Sequence, residues 1–259
     1  MSIRSIIVHA DDAPEAAARM RAGGALAAAF GAHVEALVVS PVVHDPSASA
    51  EEHAQKTQKA ADWVRAVGDE IKREFDAAVH GFHTHADRMR TDCAAAMRAA
   101  DLILVGPPPI DGLLAHDDVF HAALMLSGRP CLIIPPRGAP EPFGRRIVIA
   151  WKDTKEAARA VHDALPFLER ANSILLLALK PDDGPYLGQR ALDRMKAALA
   201  RRDLPLSVET DAHHGLAHRT LMRRAHAFNA DMLVMGGFGR ARMSEFLFGG
   251  MTRSILAGL

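Results

Sequence analysis

The chain has 259 residues, 49% of them hydrophobic, which is enough for two domains of ordinary size with buried cores. Lys and Arg balance Asp and Glu at 31 each, which argues against a broad nucleic-acid-binding surface, and the two cysteines, Cys93 and Cys131, exclude a disulfide framework. With no apolar stretch near the roughly 18 residues of a membrane span, we expect a cytoplasmic protein without membrane or nucleic-acid partners.

Short apolar runs alternate with helical patterns along the first half of the chain. Continuous β-branched runs predict strands at Ile3–Val8, His33–Val39, Leu102–Val105 and Cys131–Ile134, and a weakly coded one between Val79 and His85. Helical patterns lie near residues 14–30, 50–77, 87–98 and 114–127. The proline-rich stretch at 135–142 is predicted to link two domains.

The second half repeats this pattern. Its strands are predicted at 146–150, 173–179, 206–211 and 232–235, and its helices near 154–170, 184–201, 215–229 and 244–257. Ile6-Ile-Val matches Ile147-Val-Ile, and Ala100-Asp-Leu-Ile-Leu-Val-Gly106 matches Ala230-Asp-Met-Leu-Val-Met-Gly236. We therefore predict two tandem α/β domains, residues 1–138 and 144–259, each with a parallel sheet.

A set of spaced glycines follows the last predicted strand. Met235-Gly236-Gly-Phe-Gly239 is followed, nine residues later, by Gly249-Gly250-Met251-Thr252. Open α/β sheets bind ligands at the carboxyl ends of their strands, and glycine lets backbone amides approach an anion closely. A helix that begins after Gly249 would direct its N-terminal amides at a phosphate. Simple turns would account for one Gly-x-x-Gly, but the full spacing is more specific.

This spacing resembles the universal stress protein family, whose pattern is Gly, two residues, Gly, nine residues, Gly and then Ser or Thr. Gly236, Gly239 and Gly249 match it, whereas Gly250 stands where the hydroxyl residue is expected. The stretches 236–254 and 151–161 also look like tandem members of the family. The resemblance implies a flavodoxin-like, adenine nucleotide alpha hydrolase-like fold in both domains, and ATP or ADP, with or without Mg²⁺, as the ligand of some members.

The resemblance also implies which residues form the site in the second domain. The phosphates and ribose would lie among Met235, Gly236, Gly239, Gly249, Gly250, Met251 and Thr252, and the base would be flanked by Ala150, Trp151, Lys152, Asp153 and Leu179. Members that bind ATP usually have an Asp where Lys152 stands. Lysine has no acceptor for the adenine amino group, so we predict weaker adenine selectivity unless a small shift of the loop places Asp153 in that role.

The first domain keeps the Asp but loses the phosphate loop. Asp11 stands at the position of the adenine contact, whereas Pro109 and Val119 replace the loop glycines. The run Pro107-Pro-Pro109 also removes three amide donors. We predict that this domain does not bind phosphates in the family manner.

Three function classes remain open at this point. A stress-response regulator that binds ATP or ADP fits best. A slow ATP hydrolase would use the same pocket, but the sequence shows no evident general base or magnesium carboxylate for it. A nucleotide-free interaction scaffold would work through its surface. We assign no catalytic residue. His83 and His85 could ligate zinc if a third ligand joined them, but ordinary surface histidines are the simpler interpretation.

The end of the sequence predicts an incomplete second sheet. The first domain continues into a fifth strand at Cys131–Ile134, whereas the second stops at Leu259 before its counterpart. Because proteins normally cover a bare sheet edge, we expect either that the chain is cut short of a longer protein, which we favour, or that another chain covers the edge. By resemblance, we expect the two domains to pack as a pseudo-twofold pair, with a homodimer as a further possibility.

Overall fold

The computed structural model describes residues 2–108, 118–181, 188–213, 216–237, 250–256 and 258. The chain divides into two compact units, residues 2–139, called unit one, and residues 140–259, called unit two. Each unit has one fully parallel sheet connected through helices. The predicted class, two tandem flavodoxin-like α/β units with a shorter second sheet, is confirmed.

Unit one contains five strands. The elements in chain order are β1 (Ser5–His9), α1 (Glu15–Phe30), β2 (His33–Val42), α2 (Ala50–Phe75), β3 (Ala78–His85), a 3₁₀ turn (Ala86–Arg88), α3 (Met89–Met97), β4 (Leu102–Val105), α4 (Asp118–His121), a π-helical turn (Ala122–Leu126) and β5 (Cys131–Ile133). The strand order is β3-β2-β1-β4-β5, and every pair is parallel.

Unit two repeats this order with four strands among its described residues. Its elements are β6 (Arg146–Trp151), α5 (Lys155–Asp163), α6 (Leu165–Leu168), β7 (Ser173–Pro181), α7 (Gln189–Ala200), β8 (Leu206–His213), α8 (Ala217–Ala227), β9 (Met232–Met235) and α9 (Gly250–Leu256). The strand order β8-β7-β6-β9 corresponds to β3-β2-β1-β4 in unit one.

The central strands form the cores because apolar side chains occupy both of their faces. Ile6, Val8, Ile103 and Leu104 are fully buried in unit one, as are Ile147, Val148, Ile174 and Leu176 in unit two. Helices cover both sides of a parallel sheet, so a strand in its middle has no face in water. This accounts for the continuous apolar runs in the sequence.

Helix boundaries follow local chemistry, with one departure from the prediction. The α2 helix begins at a capping box, in which Ser49 accepts from the Glu52 amide and the Glu52 carboxylate accepts from the Ser49 amide. The helix predicted over 154–170 is instead divided into α5 and α6. Pro166 explains the break, because proline lacks an amide and clashes with the preceding turn.

In each unit, an aspartate directly before β4 or β9 accepts hydrogen bonds from backbone amides at the start of the first strand. Asp101 accepts from the amides of Arg4 and Ser5 at 2.8 and 3.1 Å. Asp231, its counterpart in the repeat, accepts from the amides of Gly144, Arg145 and Arg146 at 3.0–3.1 Å. The same pattern of hydrogen bonds between a carboxylate and backbone amides therefore occurs in both units.

None of the helices in the described part of the chain is long and apolar enough to cross a membrane.

Candidate functional site

The carboxyl ends of the four strands of unit two lie at one edge of the sheet. Ala150, near the end of β6, pairs with Met235 of β9 on one side and with Leu177 of β7 on the other. After β6 the chain forms β7 on one side of β6, and it later returns to form β9 on the other side of β6. This is the topological switch point, where open α/β sheets form their ligand crevice.

Three of the predicted site residues lie on one face of this sheet, and a fourth contacts the same cluster from α9. Ala150, Leu179, Met235 and Met251 all pack, partly buried, against one apolar cluster. The cluster is formed by β6, β7, α8 and α9 through Val148, Leu175, Leu177, Leu221, Ala225 and Ile255. The structure thus brings the ends of three elements together with α9, in an apolar environment suited to the flank of a heterocyclic base.

Trp151 lies on the opposite face of β6, since side chains alternate along a strand. It is 7% exposed, and its Nε1 donor has no hydrogen-bond partner among the described residues. An unpaired buried N–H costs about 1–3 kcal/mol. Trp151 thus lies on the other face of β6 from the apolar cluster that Ala150 contacts.

Lys152 and Asp153 are exposed in the loop between β6 and α5. The Thr154 amide donates to the Lys152 carbonyl at 2.8 Å, and the Thr154 hydroxyl accepts from the Ala157 amide at 3.3 Å. These bonds cap α5 and fix the path of the loop. The side chains at 152 and 153 are therefore presented at the carboxyl edge by a defined turn.

Gly236 has a packing role in this structure. A Cβ built on Gly236 would lie 2.5 Å from the amide nitrogen of Ala157 and 2.7 Å from the carbonyl carbon of Glu156. The chain that leaves β9 therefore passes directly against the first turn of α5. Any side chain at 236 would separate these two elements.

The remaining residues of the predicted phosphate loop are only partly described. Gly250, Met251 and Thr252 lie in α9, and Thr252 is 8% exposed. Gly239 and Gly249 fall outside the described residues. Their proposed contacts with phosphates stay predictions.

In unit one, a side chain of the protein itself occupies the corresponding edge of the sheet. Asp11, in the loop after β1, pairs at 2.7 Å with Arg19 of α1, whose side chain is 6% exposed. Val119 is buried in α4, and Pro109 lies outside the described part. Sequence reasoning missed Arg19, although its spacing was a signal: it shares a helical stripe with Ala16, Ala22 and Gly23, all of them buried.

The histidine pair of β3 lines a cavity of about 290 Å³ in unit one. His83 and His85 are exposed there, beside Val42, Thr57, Thr84, Arg88 and Asp92. The Thr84 hydroxyl donates to Asp92 at 2.5 Å, and this bond holds the pKa of the Asp92 carboxyl below its ordinary value. Across the described ranges, no three His, Cys, Asp or Glu side chains come together as a metal site.

Comparison with known proteins relates the sequence of unit two to a protein family and the fold of the chain to solved structures. The universal stress protein family model matches residues 144–258. None of the curated proteins matches the chain in sequence. A universal stress protein from Archaeoglobus fulgidus DSM 4304 is 14% identical, with 97% of this chain and 94% of that one covered and a TM-score of 0.70.

A second solved structure extends over a similar length. A putative universal stress protein from Pseudomonas aeruginosa UCBPP-PA14 is 18% identical, with 98% of this chain and 89% of that one covered and a TM-score of 0.58. At such identities the likeness establishes the fold. Both structures cover the two units of this chain together.

Proposed function

We propose that this chain is a stress-response regulatory protein that binds ATP or ADP in unit two. The proposal rests on two features that fall in the same half of the chain. The universal stress protein family model matches residues 144–258, and the spaced glycines belong to the same half of the chain. Gly236, the first of them, directly follows β9 at the switch point of the sheet.

The residues around the switch point fit an adenine nucleotide. Ala150, Leu179 and Met235 offer an apolar flank at the carboxyl edge, and Met251 joins them from α9. On the other face of β6, the buried Trp151 N–H, which has no partner in the part of the chain that the structure describes, is a donor suited to an oxygen or ring nitrogen of a ligand. Gly236, Gly239, Gly249, Gly250 and Thr252 would surround the phosphates and ribose, while Lys152 and Asp153 would border the base.

A thermal-shift titration of the full chain with ATP, ADP and AMP tests nucleotide binding directly. A ligand that binds only the folded state stabilises it by about 2.7 kcal/mol at a hundred times its Kd. We expect ATP and ADP to raise the unfolding midpoint more than AMP does. No shift with any of the three at millimolar concentration would favour the interaction scaffold, and steady-state phosphate release would identify a slow hydrolase.

Two variants test the assignment to unit two. Gly239→Pro should abolish the shift, because proline removes an amide and fixes the backbone in the proposed loop. Pro108→Ala, in the corresponding part of unit one, is the matched control and should leave it unchanged. The opposite result would assign the nucleotide to unit one.

A further inference from the structure

Arg19 is a buried arginine whose guanidinium reaches from α1 to the end of β1. The residue is 5% exposed. Its Nε donates to the carbonyl oxygen of His9 at 2.8 Å, and its Nη2 donates to Oδ1 of Asp11 at 2.7 Å. His9 is the last residue of β1, and Asp11 lies in the loop that follows. Two donors of one planar group are therefore matched to two acceptors.

The third corner of this guanidinium faces the end of β4. A Cβ built on Gly106, the residue after β4, would lie 3.1 Å from Arg19 Nη1. Since β1 pairs with β2 on one side and with β4 on the other, the guanidinium spans the switch-point crevice of unit one. This is the place where an open α/β sheet receives an external molecule.

Contacts that do not involve Arg19 hold the loop that supplies the acceptor. Oδ1 of Asp11 also accepts from the Ala13 amide at 3.2 Å. Next to it, Oδ2 of Asp12 accepts from Nε1 of Trp63 at 3.0 Å. The carboxylate of Asp11 is thus positioned by its own turn and by a neighbour that α2 anchors, so contacts other than the guanidinium help to orient this acceptor.

Unit two keeps the glycine of this arrangement but lacks its arginine and its aspartate. By the repeat alignment, Ala160 stands at the position of Arg19 and Lys152 at that of Asp11. The glycine after β9 packs against the backbone of α5 instead of a guanidinium. The arginine and its aspartate therefore form a feature of unit one alone.

We propose that the β1–β4 crevice of unit one is a guanidinium-binding site that the chain fills with its own Arg19. The two acceptors, the burial of the side chain and the missing Cβ at Gly106 match a planar, weakly hydrated cation with several donors. The side chain acts as an internal ligand and closes this crevice to other molecules. This assignment does not depend on nucleotide binding in unit two.

Chemical rescue of Arg19→Ala in the full chain tests the proposal, with methylguanidinium as the probe. We expect methylguanidinium at millimolar concentration to raise the unfolding midpoint of Arg19→Ala, with an affinity at least about tenfold above that for the unmodified chain. Methylammonium should have no such effect, because it lacks the planar set of donors. Arg21→Ala removes an exposed arginine two residues away and is the matched control.

A second measurement keeps the test decisive if Arg19→Ala does not fold. In the unmodified chain, the Nε–H signal of Arg19, assigned by its loss in Arg19→Lys, should exchange with solvent much more slowly than that of Arg21. Equal exchange rates would overturn the proposal. So would a folded Arg19→Ala that responds to methylguanidinium no more than Arg21→Ala does.

Discussion

The glycine at the end of the fourth strand shows how one residue type serves two purposes. In unit two, Gly236 lets β9 pass against the backbone of α5, and in unit one Gly106 makes room for the guanidinium of Arg19. The repeat in the sequence identifies both glycines as equivalent. It does not reveal what approaches them, because a missing Cβ is compatible with a phosphate, a helix backbone or a side chain.

Substituting Gly236 tests the packing role. Gly236→Ala should destabilise the chain by about 1–3 kcal/mol, because its Cβ would overlap the Ala157 amide and force the strand end away from α5. Gly24→Ala is the control: Gly24 lies in α1 with nothing within 4 Å of its Cβ position, so it should stabilise by about 0.5–1 kcal/mol. Urea unfolding measures both. A neutral Gly236→Ala would assign the glycine to another role.

Lys152 provides a test of base selectivity. Lysine offers no acceptor to the adenine amino group, whereas an aspartate does. If the exposed loop of residues 152–153 borders the base, Lys152→Asp should raise the affinity for ATP relative to GTP, measured by isothermal titration. The neighbouring Lys155→Asp makes the same charge change in α5 and controls for it. An unchanged ratio of the two affinities would show that Lys152 does not face the base.

The Thr84–Asp92 bond predicts a dependence of stability on pH. Since the folded-state pKa of Asp92 is lowered from 3.8, mainly by the Thr84 hydroxyl, the bond stabilises the fold above pH 3.8 and ceases to do so as the pH falls through the folded-state pKa. Thr84→Val should therefore lower the urea midpoint at pH 6 more than at pH 3. Thr91→Val removes a hydroxyl that donates to a carbonyl, so its effect should not vary with pH.

At the scale of elements, the sequence predicted the strands better than the helices. The buried strands are continuous apolar runs whose pattern is unaffected by their neighbours, so β1, β4, β6 and β9 were located closely. Helix continuity depends on single residues, and Pro166 divides a pattern that otherwise reads as one helix. The hydrogen bonds that Asp101 and Asp231 accept from the starts of β1 and β6 were not predictable. The sequence around an aspartate does not indicate which distant amides donate to it.

We expect the hydrogen bonds of Asp231 to be a main contribution to the stability of β6. Its carboxylate accepts from three consecutive amides, at Gly144, Arg145 and Arg146. Asp231→Ala would leave the partly buried amides of Gly144 and Arg145 without their acceptor and should cost about 1–3 kcal/mol in the free energy of unfolding. Asp231→Asn retains one oxygen and should lose less. Equal losses in the two variants would mean that charge, not the acceptor geometry, fastens the strand.

At the scale of the whole molecule, the repeat determined most of what could be predicted. Matching segments in the two halves predicted two parallel sheets, and the structure has them. The strand order of unit two, β8-β7-β6-β9, matches that of the first four strands of unit one. The candidate site was predicted less completely. The apolar grouping of Ala150, Leu179 and Met235, which Met251 joins from α9, follows from alternation along the strands and from strand order. The helical spacing marks Arg19 as a buried residue, but its hydrogen bonds to His9 and Asp11 depend on side-chain packing that the spacing does not encode.

The two sheets predict that local damage stays within one unit. Each sheet is built from strands of one unit only, so Asp231→Ala should speed amide hydrogen exchange in β6 and β9 while leaving β1 and β4 of unit one unchanged. Asp101→Ala, which removes the equivalent fastening of β1, should show the converse. Exchange followed by mass spectrometry on the full chain, under native conditions, measures both variants in the same peptides. If either variant speeds exchange equally in β1 and β6, the two units unfold as one cooperative structure, and the duplicated plan does not extend to their stability.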